Sequence, residues 1–268
     1  MCCAAITAFL RHECSAPSGM ELTQIELRGI LIREPVTSLT DFIAALVSFY
    51  AFYRLHRLGR SAPGHRYFKL YFLLVGLALT ASALLGHAFV YLFGTEWKVL
   101  GWTFGGLGIF CIQRSAVHIA RPWIPSRLFA WCVWGTGLQL LLFLSLTTWG
   151  LMGEFDAERG FKFVQINLAL GMAGLVLPLH VWVFLRRSNR GSLKVLLALI
   201  CGLAPTATYN LRFTPSVWFN RDDISHVLLA IVLFLLYLGA REMATPATED
   251  PPQQAAKLAL KSGAVSAR

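Results

Sequence analysis

Few side chains able to do chemistry interrupt the apolar stretches of this chain, and their spacing is specific. Asp222 and His226 stand four residues apart, so on a helix they share one face, a turn apart. His87 closes another apolar stretch. Together His87, Asp222 and His226 offer two imidazoles and one carboxylate, a donor set suited to Zn²⁺ with an open position, or to non-haem Fe²⁺. Such an ion would turn a bound water into a nucleophile at neutral pH. The bland reading is equally physical: an Asp at a helix start is favoured by the helix dipole whatever else it does. Glu34 and Asp41 lie at the start of a further apolar stretch, where they would brace the site or hold a second cation.

The elements that must position these groups are membrane spans. Of 268 residues, 56% are hydrophobic and only 14% charged, and the mean hydropathy is +0.58. Soluble domains carry about 25% charged residues, so this chain needs lipid as part of its solvent. The expected class is all-α: a polytopic bundle of seven transmembrane helices near 35–54, 69–93, 99–118, 128–151, 162–185, 192–210 and 223–241. The bundle takes up 35–241 and leaves no separate soluble domain. The sixth span carries Pro205 and ends in Thr206-Ala-Thr-Tyr-Asn210, which predicts a kink or a short final turn.

Charge sets the orientation. Loops 1–2, 3–4 and 5–6 hold Arg54, Arg57, Arg60, Arg66, Lys69, Arg114, Arg121, Arg127, Arg186, Arg187, Arg190 and Lys194. The alternate loops hold only Lys98, Arg159, Lys162, Arg212 and Arg221, offset by six carboxylates. The positive-inside rule then places the N-terminus outside and the C-terminus in the cytoplasm, in a cell (inner) membrane. The net charge of +10 reads as topology and contact with anionic lipid, with no nucleic-acid partner. No CxxC or Cys/His ligand spacing occurs among the six cysteines, so neither a disulfide framework nor a zinc finger is expected.

Depth follows from orientation. Glu34, Asp41, His87, Asp222 and His226 all fall in one layer near the outer face, joined by the polar end of the sixth span. The inner halves read as mostly smooth and apolar. His180 has no partner by depth and reads as structural. His118 and Arg121 mark the cytoplasmic interface, with Trp123 as an anchor. Before the first span, residues 1–34 form an extracytoplasmic segment in which ELTQIELRGILI reads either as an interfacial helix or as a plain extended segment. MCCAAITAFL lacks the marks of a signal peptide, and Met20 is an alternative start. Residues 242–268 read as a disordered cytoplasmic tail.

These motifs resemble the CREST superfamily of seven-helix membrane proteins, which includes alkaline ceramidases and the adiponectin-receptor group. Glu34-Pro-Val-Thr37-Ser38-Leu-Thr40-Asp41 is similar to the ceramidase pattern at the start of helix 1. Ser82 and His87 look like the superfamily's Ser and His near the end of helix 2, and Asp222-x3-His226 occupies its H-x3-H spacing at helix 7. The resemblance implies a zinc-dependent hydrolase that cleaves the carbon–nitrogen bond of a lipid amide, with membrane lipid as both substrate and solvent. It implies His87, Asp222 and His226 as metal ligands and Ser82 as the hydroxyl that stabilises the oxyanion. On an α-helix Ser82 is turned off the His87 face, so Thr80, seven residues before His87, is the alternative hydroxyl. The sequence departs from the family where Asp222 replaces a His, where Asp41 replaces an Asn, and where the ceramidase acid near helix 3 has only Glu96 as a candidate. Two other readings stay open: a proton- or cation-coupled transporter or sensor that uses Asp41, His87 and Asp222 as a relay, and a non-catalytic seven-helix protein.

Overall fold

The structure, a computed structural model, describes residues 23–152 and 157–244. The expectations for Met20, for the segment before Thr23 and for the tail after Ala244 fall outside those residues.

The segment leading to the first span is extended, not helical. Strands β1 (Gln24–Leu27) and β2 (Ile30–Arg33) pair antiparallel, with Gln24 opposite Arg33 and Leu27 opposite Ile30. Arg28 and Gly29 take φ values of 53° and 82°, the left-handed pair of a two-residue hairpin turn that matches strand twist. Glu34 follows with its N–H donated to Thr23 O at 2.8 Å and a left-handed φ of 43°. Pro35 then opens α1 (Pro35–Arg57) at the first helical position, where its missing N–H costs nothing.

The remaining described elements are helical. In chain order they are α2 (Pro63–Ala81), a π-helical turn (Ser82–Ala88), α3 (Val90–Phe93) and α4 (Lys98–Ala120). Then come α5 (Ser126–Met152), α6 (Ala157–Gly171), a second π turn (Met172–Val176) and α7 (Leu177–Arg187). Last are α8 (Arg190–Cys201), α9 (Leu203–Asn210) and α10 (Arg221–Ala244). Two of the irregularities follow from proline. Pro178 has no N–H and its ring crowds the carbonyl four residues back, at Gly174 inside the second π turn. Pro205 acts the same way on Cys201, where α8 ends and the single residue Gly202, still right-handed, links it to α9; the expected kink is present within one span, Arg190–Asn210.

Among the described residues, six helical stretches are long and apolar enough to cross a membrane: Pro35–Arg57, Pro63–Ala88, Ser126–Trp149, Ala157–Arg187, Arg190–Asn210 and Arg221–Met243. The chain is thus an all-α, multi-pass membrane bundle. Helix α4 has the length of a span, 23 residues, but Lys98, Gln113, Arg114, Ser115 and several glycines make it less apolar. It packs along α2 and touches α5, α6 and α7. Helix α1 packs between α2 and α10, and α10 lies along α8. Helix α5 sits at the rim, with Trp131, Trp134, Leu138 and Leu141 exposed, as side chains facing lipid should be.

Because lipid is as apolar as Leu, these helices associate through close packing and hydrogen bonds. The α8–α10 crossing shows the first device: a Cβ added to Gly239 would lie 2.9 Å from Gly191 O, and one added to Gly191 would lie 2.8 Å from Gly239 O. A buried amide chain shows the second. Gln113 Nε2 on α4 donates to Gln139 Oε1 on α5 at 2.8 Å, and Gln139 Nε2 donates to Asn167 Oδ1 on α6 at 2.8 Å. The chain ties α4, α5 and α6 together through side chains buried or half-buried in the bundle. His180 also has a partner: its Nδ1 lies 3.2 Å from Ser192 Oγ.

Candidate functional site

The hairpin and Pro35 hold Glu34 at the lip of α1, where its side chain makes no cap hydrogen bond to its own helix. It reaches across instead: Glu34 Oε2 lies 2.7 Å from His87 Nδ1. Burial works to raise the Glu34 carboxyl, but the hydrogen bond and charge of His87, helped by Lys98 and Arg33, hold it below the ordinary carboxylate value. One turn into α1, Thr37, Ser38, Thr40 and Asp41 are all buried, because this face packs against the π turn of α2 and the start of α10. Ser38 Oγ donates to Ala83 O at 3.2 Å and pins α1 to that turn.

Asp41 is the centre of the arrangement. Its carboxylate is fully buried, and neither oxygen has a hydrogen-bond partner among the described residues. Asp41 Oδ2 lies 3.8 Å from His87 Nε2, and Asp41 Oδ1 lies 3.3 Å from His226 Nε2. The second imidazole is also held from behind, with Nδ1 at 3.4 Å from Thr40 Oγ1. The two rings meet edge to face, with centroids 6.2 Å apart. Two Nε2 atoms thus converge on one unpartnered carboxylate, and each ring's Nδ1 faces an oxygen.

Asp222 is not part of that convergence. Its N–H donates to Asn220 Oδ1 at 2.7 Å, and its carboxylate lies 3.9 Å from Arg221 Nε. It is near enough for its charge to act on His87. Asp223, fully buried, accepts the Asn220 N–H at 2.6 Å and closes the start of α10. The i,i+4 spacing to His226 is present as expected, but Asp41, not Asp222, stands between the imidazoles.

The hydroxyl candidates separate clearly. Thr80 Oγ1 donates to Gly76 O of its own helix at 2.8 Å. Ser82 opens the π turn, where Phe89 N–H reaches Leu84 O, five residues back, at 2.9 Å. In a π turn residues five apart stack where an α-helix would stack residues four apart, so Ser82 comes round toward the His87 face. Its hydroxyl lies alongside the Asp41 carboxylate without closing a hydrogen bond. Glu96 stays at the surface, with its carboxylate folded against Gly94. The polar end of the sixth span stays apart as well: Thr206, Thr208 and Asn210 each bond a carbonyl four residues back in their own chain segment.

Two participants escaped the sequence reading. Thr40 lies inside the quoted motif but carried no assigned role. Lys98, the lone base of its loop, begins α4 beside Gly86, and its charge acts on both Glu34 and His87.

Does this set fit a divalent cation? Among the described residues no group of three or more His, Cys, Asp or Glu stands as a ready-made cage. The donor chemistry nevertheless fits: two imidazoles and one carboxylate, the carboxylate buried at the centre and without a hydrogen-bond partner among the described residues. Donors 2.0–2.2 Å from one tetrahedral Zn²⁺ lie roughly 3.3–3.6 Å from each other. The two imidazoles face opposite oxygens of Asp41: His226 Nε2 to Oδ1 at 3.3 Å falls in that range, and His87 Nε2 to Oδ2 at 3.8 Å is slightly open. The Glu34–His87 contact has the form of the carboxylate that orients a ligating imidazole.

No curated protein and no solved structure matches the chain. A family model does match, over residues 36–245, a range that includes Asp41, His87 and His226 but begins just after the hairpin and Glu34. On that match the chain belongs to the family of unknown function DUF6962.

Proposed function

We propose that this protein is a membrane-embedded, metal-dependent hydrolase of a lipid amide, related to the CREST superfamily, with its site at the hairpin end of the bundle. The observation that carries the proposal is the Asp41 carboxylate: fully buried, unpartnered, and flanked by His87 Nε2 and His226 Nε2. An acid within a span costs about 2.5–3.5 kcal/mol by insertion scales, so a buried carboxylate there calls for a compensating cation or a proton. Two imidazoles aimed at it with Nδ1 already engaged are the donors a cation would need.

The ligand set is His87, Asp41 and His226, with the Asp222 charge acting on His87 from outside it. Zn²⁺, or Fe²⁺, held there would supply Lewis acidity toward the carbonyl of the scissile bond and toward water. The rest is done by the chain. Glu34 accepts the His87 Nδ1 proton and so keeps Nε2 free to ligate. Thr40 does the same for His226. Ser82, brought to the site by the π turn, donates its hydroxyl to the oxygen on which negative charge develops. Hydrolysis breaks the acyl C–N bond; the hydroxyl of water goes to the acyl carbon and its proton to the departing amine.

The proposal includes the topology. Helix α4, enclosed by α2, α5, α6 and α7, is a seventh span. The alternation of basic and base-poor loops puts the hairpin end outside and the end of α10 in the cytoplasm. The site then opens toward the outer leaflet.

The test is elemental analysis of the purified full chain, wild type beside His87→Ala and Asp41→Asn. Near-stoichiometric zinc or iron in the wild type, lost in both variants, is the expected result. No retained metal in the wild type would overturn the metal-dependent reading, and proton sharing between Asp41 and the imidazoles, as in a transporter or sensor, would replace it.

A further inference from the structure

Lys98 is an unexplained charge at this site. It starts α4 at the same end as Glu34 and His87, and among the described residues its ammonium has no ion-pair or hydrogen-bond partner. Its side chain crosses Gly86, the neighbour of His87. A Cβ placed on Gly86 would lie 3.7 Å from Lys98 Cγ, 3.9 Å from Lys98 Cε and 3.6 Å from Ser82 Oγ. One point beside Gly86 is therefore within 4 Å of both the Ser82 hydroxyl and the end of the Lys98 stem. Only a residue without a side chain leaves that space open.

The charge is a liability where it stands. Its field reaches His87, so it opposes any positive charge held between His87, Asp41 and His226. The acid on which its charge acts is otherwise engaged: Glu34 gives Oε2 to His87 at 2.7 Å and does not reach Lys98 within 4 Å. Lys is a point charge with three donors, and an interfacial lysine with no protein partner is free to meet an anion. One ammonium in a site that already holds Glu34, Asp41 and Asp222 matches a single negative charge, a carboxylate, and not a dianion. The closeness of the Lys98 stem to Ser82 puts that carboxylate within a few bonds of the carbonyl that Ser82 would meet.

We infer that Lys98 is the anion-recognising residue of this site, and that the lipid amide it serves is an N-acyl amino acid whose carboxylate meets the Lys98 ammonium beside Gly86. The identity of the amide rests on the hydrolase reading; the anion preference does not. Two amphiphiles with the same chain and amide separate the two: N-lauroylglycine, which has the carboxylate, and N-lauroylethanolamine, which has a hydroxyl in its place. Binding of each to the detergent-solubilised full chain would be measured for wild type, Lys98→Arg and Lys98→Gln.

The expected result is a preference of about tenfold or more for N-lauroylglycine in wild type and Lys98→Arg, reduced to about twofold or less in Lys98→Gln. No preference in the wild type, or one that survives in Lys98→Gln, overturns the assignment. Should Lys98→Gln not fold, the methyl ester of N-lauroylglycine on the wild-type protein does the same work. Loss of the preference on esterification supports the assignment, and its persistence sinks it. His226→Ala keeps the preference if it belongs to Lys98. Wild type that binds the acid selectively but cleaves neither amide leaves Lys98 as proposed and removes the hydrolase reading.

Discussion

Glu34 Oε2 and His87 Nδ1 lie 2.7 Å apart, though 53 residues separate them in the chain. The contact joins the lip of α1 to the π turn that ends α2, and it turns His87 Nε2 toward Asp41. Losing an oriented carboxylate behind a ligating imidazole typically costs 10–100-fold in metal affinity. Glu34→Gln is expected to fall in that range, read by competition with a metal chelator, while helical content by circular dichroism stays unchanged.

The buried Asp41 gives a sign test. If a cation neutralises it, chelation should destabilise the wild type: a ligand present at 100 times its dissociation constant contributes about 2.7 kcal/mol. Asp41→Asn should unfold at the same temperature with and without chelator. A wild type indifferent to chelator, with Asp41→Asn more stable than it, would mean the carboxylate is carried at a cost and no ion sits there.

Acid should loosen the hairpin end first. The folded Glu34 carboxyl titrates below its ordinary value. Its contribution is therefore fully present above the ordinary carboxylate range and is lost as pH falls through the lowered folded value. Stability of the wild type should decline more steeply below about pH 4.5 than that of Glu34→Gln. Thermal unfolding in detergent across a pH series checks this.

The α8–α10 crossing should be intolerant of a methyl group. Gly191→Ala and Gly239→Ala each place a Cβ against the facing backbone, and overpacking of this kind costs about 1–3 kcal/mol. Both variants should melt earlier in detergent. Gly105→Ala, whose Cβ would meet nothing within 4 Å, should be neutral and is the control.

The topology has a labelling test. In a chain whose native cysteines are replaced by serine, a cysteine at Arg28, in the hairpin turn, should react with a membrane-impermeant maleimide on intact cells. A cysteine at Gly59, between α1 and α2, should react only after permeabilisation. The reverse pattern would invert the orientation and place the site on the cytoplasmic side.

Much of this protein is local and so legible along the chain. Apolar stretches of span length and the shortage of charge dictate a helical membrane bundle, because lipid offers backbone groups no partners. Pro35 marks the start of α1, and Pro205 marks the disruption of the sixth span. The five ionisable residues at one end, Glu34, Asp41, His87, Asp222 and His226, follow from their positions within those stretches. The hairpin was not legible: the segment read as an interfacial helix or a plain extended stretch, because four residues a side overlap what an amphipathic helix would show.

The partnerships within that end needed the tertiary structure. Spacing favoured Asp222 with His226, since both ride one helix. Asp41 reaches His226 across the α1–α10 packing, and contact between helices leaves no periodic mark in a sequence. Ser82 was turned away from His87 on α-helical geometry, and the π turn brings it back. Thr80, which α-helical spacing favoured, is tied to its own backbone. Residue types and depth selected the groups, but helix packing and one irregular turn decided which of them touch.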